Sequence, residues 1–278
     1  MAPRLISDVS ESVWQALLGE AARSGHSLSM VVDRTLSTAF ELDRHSLFQV
    51  STSNALVQGV FRGAVTVGDL KRNGDFGLGT FEGLDGELVM LDGDCYRATG
   101  GGVVTSPPDD ASVPFAVVTH FHPDTSLTTS PGSLPDLTAA VDAARPSENL
   151  FVGIRVEGRF ERLALRAACA AEPGESLVEA TAHQSEFTIG DEVGTLVGFW
   201  APLYARAVNV PGYHFHFISE DRAFGGHLLG MEAGSLEVGI HIESELVVAI
   251  PETEEFLTAD LSGDHQAALH RAETGSAD

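Results

Sequence analysis

From Leu47 to Ile242 the apolar positions recur mostly at a spacing of two, the period of a half-buried strand. Glu87-Leu88-Val89-Met90-Leu91 runs into Asp92-Gly93-Asp94 and on to Cys95-Tyr96-Arg97, which predicts a β-hairpin with its turn at the glycine. Phe115 to Phe121 predicts another strand, and Phe151 to Val156 with Phe160 to Ala170 a pair turning at Glu157-Gly158. Thr195 to Trp200, Tyr213 to Ile218, His227 to Met231 and Leu236 to Ile242 extend the sheet. Leu134 to Ala144 has helical spacing and is stopped by Pro146. Many strands and few helices give an α+β class, mainly β, with mixed or antiparallel sheets.

The first 42 residues follow a different rhythm. Arg4 to Val9 predicts a short strand, and Ser10 is a good N-cap for a helix bearing Val13, Trp14, Leu17, Leu18 and Ala21. Ser24-Gly25-His26-Ser27 breaks it, and Val31, Val32, Leu36 and Phe40 line a second helix. Residues 1–42 are therefore expected to be a helical appendage and residues 43–278 the main domain. Strand, helix, turn, helix resembles the ribbon–helix–helix module of bacterial repressors. The strand here offers Arg4 but also Asp8, so an oligomerisation or packing appendage is favoured over DNA binding.

Composition narrows the classes further. A formal net charge of −24 repels phosphate backbones, so electrostatic nucleic-acid binding is disfavoured. No apolar run reaches the length of a membrane span, and the N-terminus lacks a basic region followed by an apolar core. Cys95 and Cys169 are too few for a disulfide framework and fit a reducing cytoplasm. No glycine-rich nucleotide fingerprint is present.

Candidate chemistry concentrates in Gly212 to His227, which holds His214, His216 and His227. On a strand, His214 and His216 share one face while Phe215 and Phe217 take the other. A hairpin centred on Asp221 and Arg222 sets His227 opposite His216, where Cβ atoms lie about 5 Å apart. Three imidazoles that leave positions open are the pattern of a catalytic zinc site. Glu220 stands four after His216, as in cupin-type metal oxygenases, which would use iron or manganese. Against that reading, His227 comes earlier than the cupin pattern wants, and Val208 occupies its glycine position. Glu157, Glu220 and Asp221 are expected in turns; His241, His265 and His270 are expected to be structural or surface positions without convergent partners.

The segment Gly212-Tyr213-His214-Phe215-His216-Phe217-Ile218, then Gly225-Gly226-His227, resembles bacterial α-acetolactate decarboxylases. The resemblance continues through Gly74 to Phe81, Leu84-Asp85-Gly86-Glu87-Leu88, Asn149-Leu150-Phe151, Gly194 to Phe199 and Pro202 to Ala205. It runs in family order from about residue 46 onward. It implies two related β-rich units sharing one metal cleft; separately, a homo-oligomer, a dimer, is expected. It also implies one zinc ion, or another divalent metal, on His214, His216 and His227, with α-acetolactate as substrate. The carboxylate of that substrate is β to a ketone, so electrons released with CO2 can delocalise as an enediolate, which a Lewis acid stabilises. Protonation then gives acetoin and needs a placed acid. The resemblance carries over Glu87 and Glu273 as candidates for that acid, Arg166 as the cation that orients the departing carboxylate or the metal-bound oxygens, and Thr80 as a pocket hydroxyl. A ligand sensor with an N-terminal DNA-binding module is the non-enzyme alternative, and the intact histidine triad with both glutamates argues against it.

Overall fold

A computed structural model of the chain describes residues 6–25, 27–39, 45–172 and 174–274. Two compact units result, Met1–Arg44 and His45–Asp278.

In the first unit, α1 (Glu11–Ser24) starts where the Ser10 hydroxyl accepts from the Val13 N–H, and ends at Gly25, whose φ of 72° is the left-handed cap. A second helix, α2 (Leu28–Ala39), follows. Residues 6–9 form no strand, contrary to expectation, since a lone extended segment has no ladder to join; Arg4, Leu5, His26 and Phe40 lie outside the described residues. Val31 is buried, while Val13, Trp14, Leu18, Met30 and Leu36 stay exposed.

The second unit opens with β1 (Ser46–Val50), α3 (Ser53–Val57), β2 (Val65–Thr66), α4 (Val67–Lys71), β3 (Phe76–Thr80), β4 (Glu87–Leu91) and β5 (Asp94–Ala98). Next come β6 (Val104–Thr105), β7 (Ser112–Val113), β8 (Phe115–Thr119), β9 (Thr125–Thr129), α5 (Leu134–Ala144) and β10 (Phe151–Ala167). The chain finishes with α6 (Leu177–Thr181), β11 (Ser185–Ala201), β12 (Gly212–Ser219), β13 (Gly225–Glu243), β14 (Glu245–Ala249), α7 (Glu254–Thr258) and α8 (Gln266–Thr274). The β4–β5 turn forms as expected: Asp92 and Gly93 both take positive φ, 53° and 84°, as a two-residue hairpin loop requires. The helix α5 spans the expected residues, capped by the Ser133 hydroxyl.

A seven-stranded sheet runs β14-β1-β8-β3-β4-β5-β6, mixed because β1 and β14 are parallel. A second, antiparallel sheet runs β10-β11-β12-β13-β9, and β13 also pairs with β10, closing four strands into a ring. The turn expected at Glu157-Gly158 does not form. β10 runs straight through, laddered on both sides, and its register on β13 shifts between Gly158 and Phe160. Gly158, at φ 152°, supplies a bulge rather than a reversal. Glu157 is accordingly a strand residue, paired with Arg155 at 2.7 Å. The two strands expected over His227–Met231 and Leu236–Ile242 are likewise one, β13.

Alternation fixes which side chains meet between the sheets. On β4, Val89 and Leu91 join one apolar cluster while Leu88 and Met90 join another, so Glu87 shares the face of Val89. On β12, Ile218 lies in that same cluster, whereas Phe215 and Phe217 lie in the cluster under α5. His214 and His216 therefore face the seven-stranded sheet, and Glu87 faces them.

Candidate active site

Ladder register assembles the site. His216 pairs with His227 across β12 and β13, as the hairpin reading expects, and His227 pairs with Arg166 across β13 and β10. Arg166, His227 and His216 thus form one cross-strand row, with His214 beside it on the same face. His214 Nε2 stands 3.2 Å from His216 Nε2 and 3.1 Å from His227 Nδ1.

Two of the three imidazoles are oriented from behind. His216 Nδ1 lies 2.8 Å from the Leu88 carbonyl and His227 Nε2 lies 3.0 Å from the Glu273 carbonyl, so each donates there and turns the lone pair of its other nitrogen inward. Burial, helped by the Arg166 charge, pushes His214 and His216 down to about 3 and His227 well below its ordinary range. Three inward nitrogen lone pairs at this separation repel unless a cation lies between them. Tetrahedral ligands about 2.0–2.1 Å from one ion sit about 3.3 Å apart, close to the spacing found. The donor set fits a divalent metal.

Carboxylates and a cation surround the imidazoles. Glu87 accepts from the Ala168 N–H at 3.0 Å, and its Oε2 is 3.5 Å from His216 Nε2. Burial pushes its carboxyl up to about 7, opposed by the Arg166 charge. Glu273, carried over as a candidate acid, lies within α8. Its Oε2 is 3.6 Å from both Arg166 Nη2 and His214 Nε2 and 3.7 Å from His227 Nε2, and burial raises its pKa too. Arg166 is buried and donates to Gln184 Oε1 at 2.9 Å and to the Ala272 carbonyl. Arg166 Nε and Glu273 Oε2 have no hydrogen-bond partner among the described residues. Thr80 lines the cavity opposite Glu87 on the β3–β4 ladder, but its hydroxyl donates to the Gly86 carbonyl at 2.9 Å. Leu56, Leu84, Phe115 and Leu177 wall a cavity of about 40 Å³ in front of these groups.

Residues 47–263 match the family model described as alpha-acetolactate decarboxylase. The chain belongs to that family. An alpha-acetolactate decarboxylase of Methylococcus capsulatus is 42% identical over 231 residues, covering 82% of this chain and 89% of the relative. Another, of Methanosarcina mazei, is 40% identical over 229 residues, 82% of this chain and 80% of that protein. The crystal structure of alpha-acetolactate decarboxylase from Bacillus subtilis superposes with a TM-score of 0.80 at 34% identity, covering 83% of this chain and all of that one. The first 46 residues and the helix carrying Glu273 fall outside the family-model match.

Within this decarboxylase scaffold, sequence reasoning misses Gln184 and the carbonyls of Leu88 and Ala272. Gln184 carries no motif and meets Arg166 only through the fold, while carbonyls leave no trace in side-chain identity. Glu220, which a cupin site would use, is exposed in the β12–β13 turn, where its N–H donates to Val193. His241 departs from expectation: ligand atoms of His45, Asp124 and His241 lie within 4.8 Å of one another.

Proposed function

We propose that this chain converts α-acetolactate to acetoin and CO2. The observation that carries the reading is the convergence of three neutral imidazoles with Glu87, Arg166 and Glu273 in a member of this family. A divalent cation held by His214, His216 and His227, for which zinc suits the all-nitrogen set, would supply Lewis acidity toward the ketone and hydroxyl oxygens.

The chain's own groups do the rest. Arg166, its charge buried and its Nε unpartnered, binds and orients the substrate carboxylate. Gln184 and the Ala272 carbonyl hold that guanidinium in place. As the carbon–carbon bond breaks, CO2 leaves and the electron pair enters the neighbouring ketone. Glu87, whose carboxyl burial tunes to about 7, delivers the proton to the carbon that lost CO2. Glu273 balances Arg166 and presents its free Oε2 to the same space. Thr80 shapes the pocket floor through its bond to Gly86 rather than donating to substrate. Apolar walls keep water from competing for the carbanion equivalent.

Unpaired Cys95 and Cys169 support a cytoplasmic location, and among the described residues no helix is long and apolar enough to cross a membrane. Exposed Trp14, Leu18 and Met30 support a homodimer through the helical appendage. The test of the function is acetoin and CO2 release from racemic α-acetolactate by chelated and zinc-restored protein. Activity that chelation abolishes and zinc restores is expected. Folded, zinc-loaded protein that forms no acetoin would overturn the reading.

A further inference from the structure

We propose that Leu84 is a specificity-determining residue: its side chain limits the size of the alkyl group on the carbon that loses CO2. The proposal rests on the decarboxylase reading above. It names the wall that selects among 2-hydroxy-3-oxo acids differing in that one group.

The backbone at Leu84 is the first observation. Thr80 and Glu87 pair at the end of the β3–β4 ladder, and the turn between them takes positive φ at Gly83 (71°), Leu84 (57°) and Gly86 (99°). Glycine adopts this region freely, whereas leucine there crowds its Cβ against the following carbonyl. Among the described residues, the other non-glycine positions with positive φ are His45, Ser51, Asp92, Asp191 and Arg222, all polar. Leu84 is the one buried apolar side chain carried on such a backbone. Hydrogen bonds on both sides hold it there. The Gly83 N–H donates to the Phe61 carbonyl at 2.9 Å, and the Gly83 carbonyl accepts from the Ala171 N–H at 2.8 Å. The Gly86 N–H donates to the Leu84 carbonyl at 2.8 Å, and the Gly86 carbonyl accepts from the Thr80 hydroxyl at 2.9 Å. Strain that its surroundings over-determine in this way clusters at active sites and ligand clamps.

The second observation is where the strained residue sends its side chain. Leu84 is buried, lines the same cavity as Glu87, Arg166 and the three histidines, and belongs to the apolar cluster on the face of Glu87. The polar groups of that cavity take the oxygens of the substrate, which leaves its alkyl groups to the apolar lining. Leu84 stands on the turn that leads into Glu87, so it borders the carbon that Glu87 protonates. Free space in the cavity is about 40 Å³, and the hydrogen bonds that fix the turn keep the leucine from yielding to a larger substituent. An extra methylene on that carbon therefore meets Leu84.

The experiment measures kcat/KM for CO2 release by zinc-loaded, full-length protein from two substrates. One is α-acetolactate and the other its homologue with ethyl in place of methyl on the carbon that loses CO2. The variants are Leu84→Gly, which fits the φ of 57° without strain, and Leu84→Met, which keeps the side-chain volume; a thermal melt checks that both fold. Leu84→Gly is expected to shift the ratio of the two kcat/KM values toward the ethyl substrate by about tenfold or more, the range one methylene commands. Leu84→Met is expected to keep the wild-type ratio. A Leu84→Gly ratio unchanged from wild type, or moved toward the methyl substrate, would overturn the proposal. So would a folded Leu84→Gly protein that turns over neither substrate, because the residue would then serve the chemistry rather than the choice of substrate. Wild type that forms no acetoin from α-acetolactate would instead sink the decarboxylase reading, and this proposal with it.

Discussion

Replacing Glu87 with glutamine should make the metal-free protein more stable and the enzyme far slower. Burial moves the Glu87 carboxyl from its ordinary 4.5 to about 7. The folded state therefore binds more protons than the unfolded chain between these values, and the stability carried by neutral Glu87 is full below pH 4.5. It is lost as pH rises through about 7. At about 1.4 kcal/mol per tenfold, ionised Glu87 costs the folded state about 3 kcal/mol above that window. Glutamine keeps an oxygen for the Ala168 N–H and cannot ionise, so Glu87→Gln should match wild type near pH 4 and exceed it by about 3 kcal/mol near pH 8.5. Relief of repulsion with Glu273, which raises the Glu87 pKa, acts in the same direction. Urea unfolding of chelated wild type and variant across this range reads the stability, and acetoin formation by the zinc-loaded proteins reads the chemistry. Loss of the proton donor should slow turnover by about 10²–10⁴-fold. A variant no more stable than wild type at pH 8.5, or one within about tenfold of its activity, would refute the reasoning.

Other expectations follow from neighbouring features. Burial keeps His214 and His216 neutral down to about pH 3, so zinc should stay bound at pH 5, where an exposed imidazole is already protonated; metal content after gel filtration at that pH checks it. A methyl group at Gly198 on β11 would lie 2.0 Å from the Phe215 ring on β12, the strand that carries His214 and His216. Gly198→Ala should lower unfolding free energy by about 1–3 kcal/mol and weaken zinc retention, as a denaturant melt and a zinc assay would show. A chain starting at His45 should keep acetoin formation per bound zinc, because the helical unit holds none of the candidate residues.

Local rules carried a good part of this molecule. Period-two patterning, the Asp92-Gly93 turn, the Ser133-capped helix and the opposition of His216 and His227 depend on neighbours in sequence, and each appears in the structure. So does the sharing of a face by His214 and His216, which strand geometry alone dictates. Long-range pairing was decided elsewhere. Gly158 carries the same turn signal as Gly93, yet ladders on both sides of β10 hold it extended as a bulge, because hydrogen bonds to β11 and β13 outweigh a local preference. The meeting of Arg166 on β10 with Glu273 on α8, and of His45 with Asp124 and His241, joins residues far apart in the chain through tertiary packing. Sequence spacing holds no record of such contacts. The depth of burial that shifts Glu87 and the histidines is likewise a property of packed layers, so the residues were legible in the sequence and their electrostatics were not.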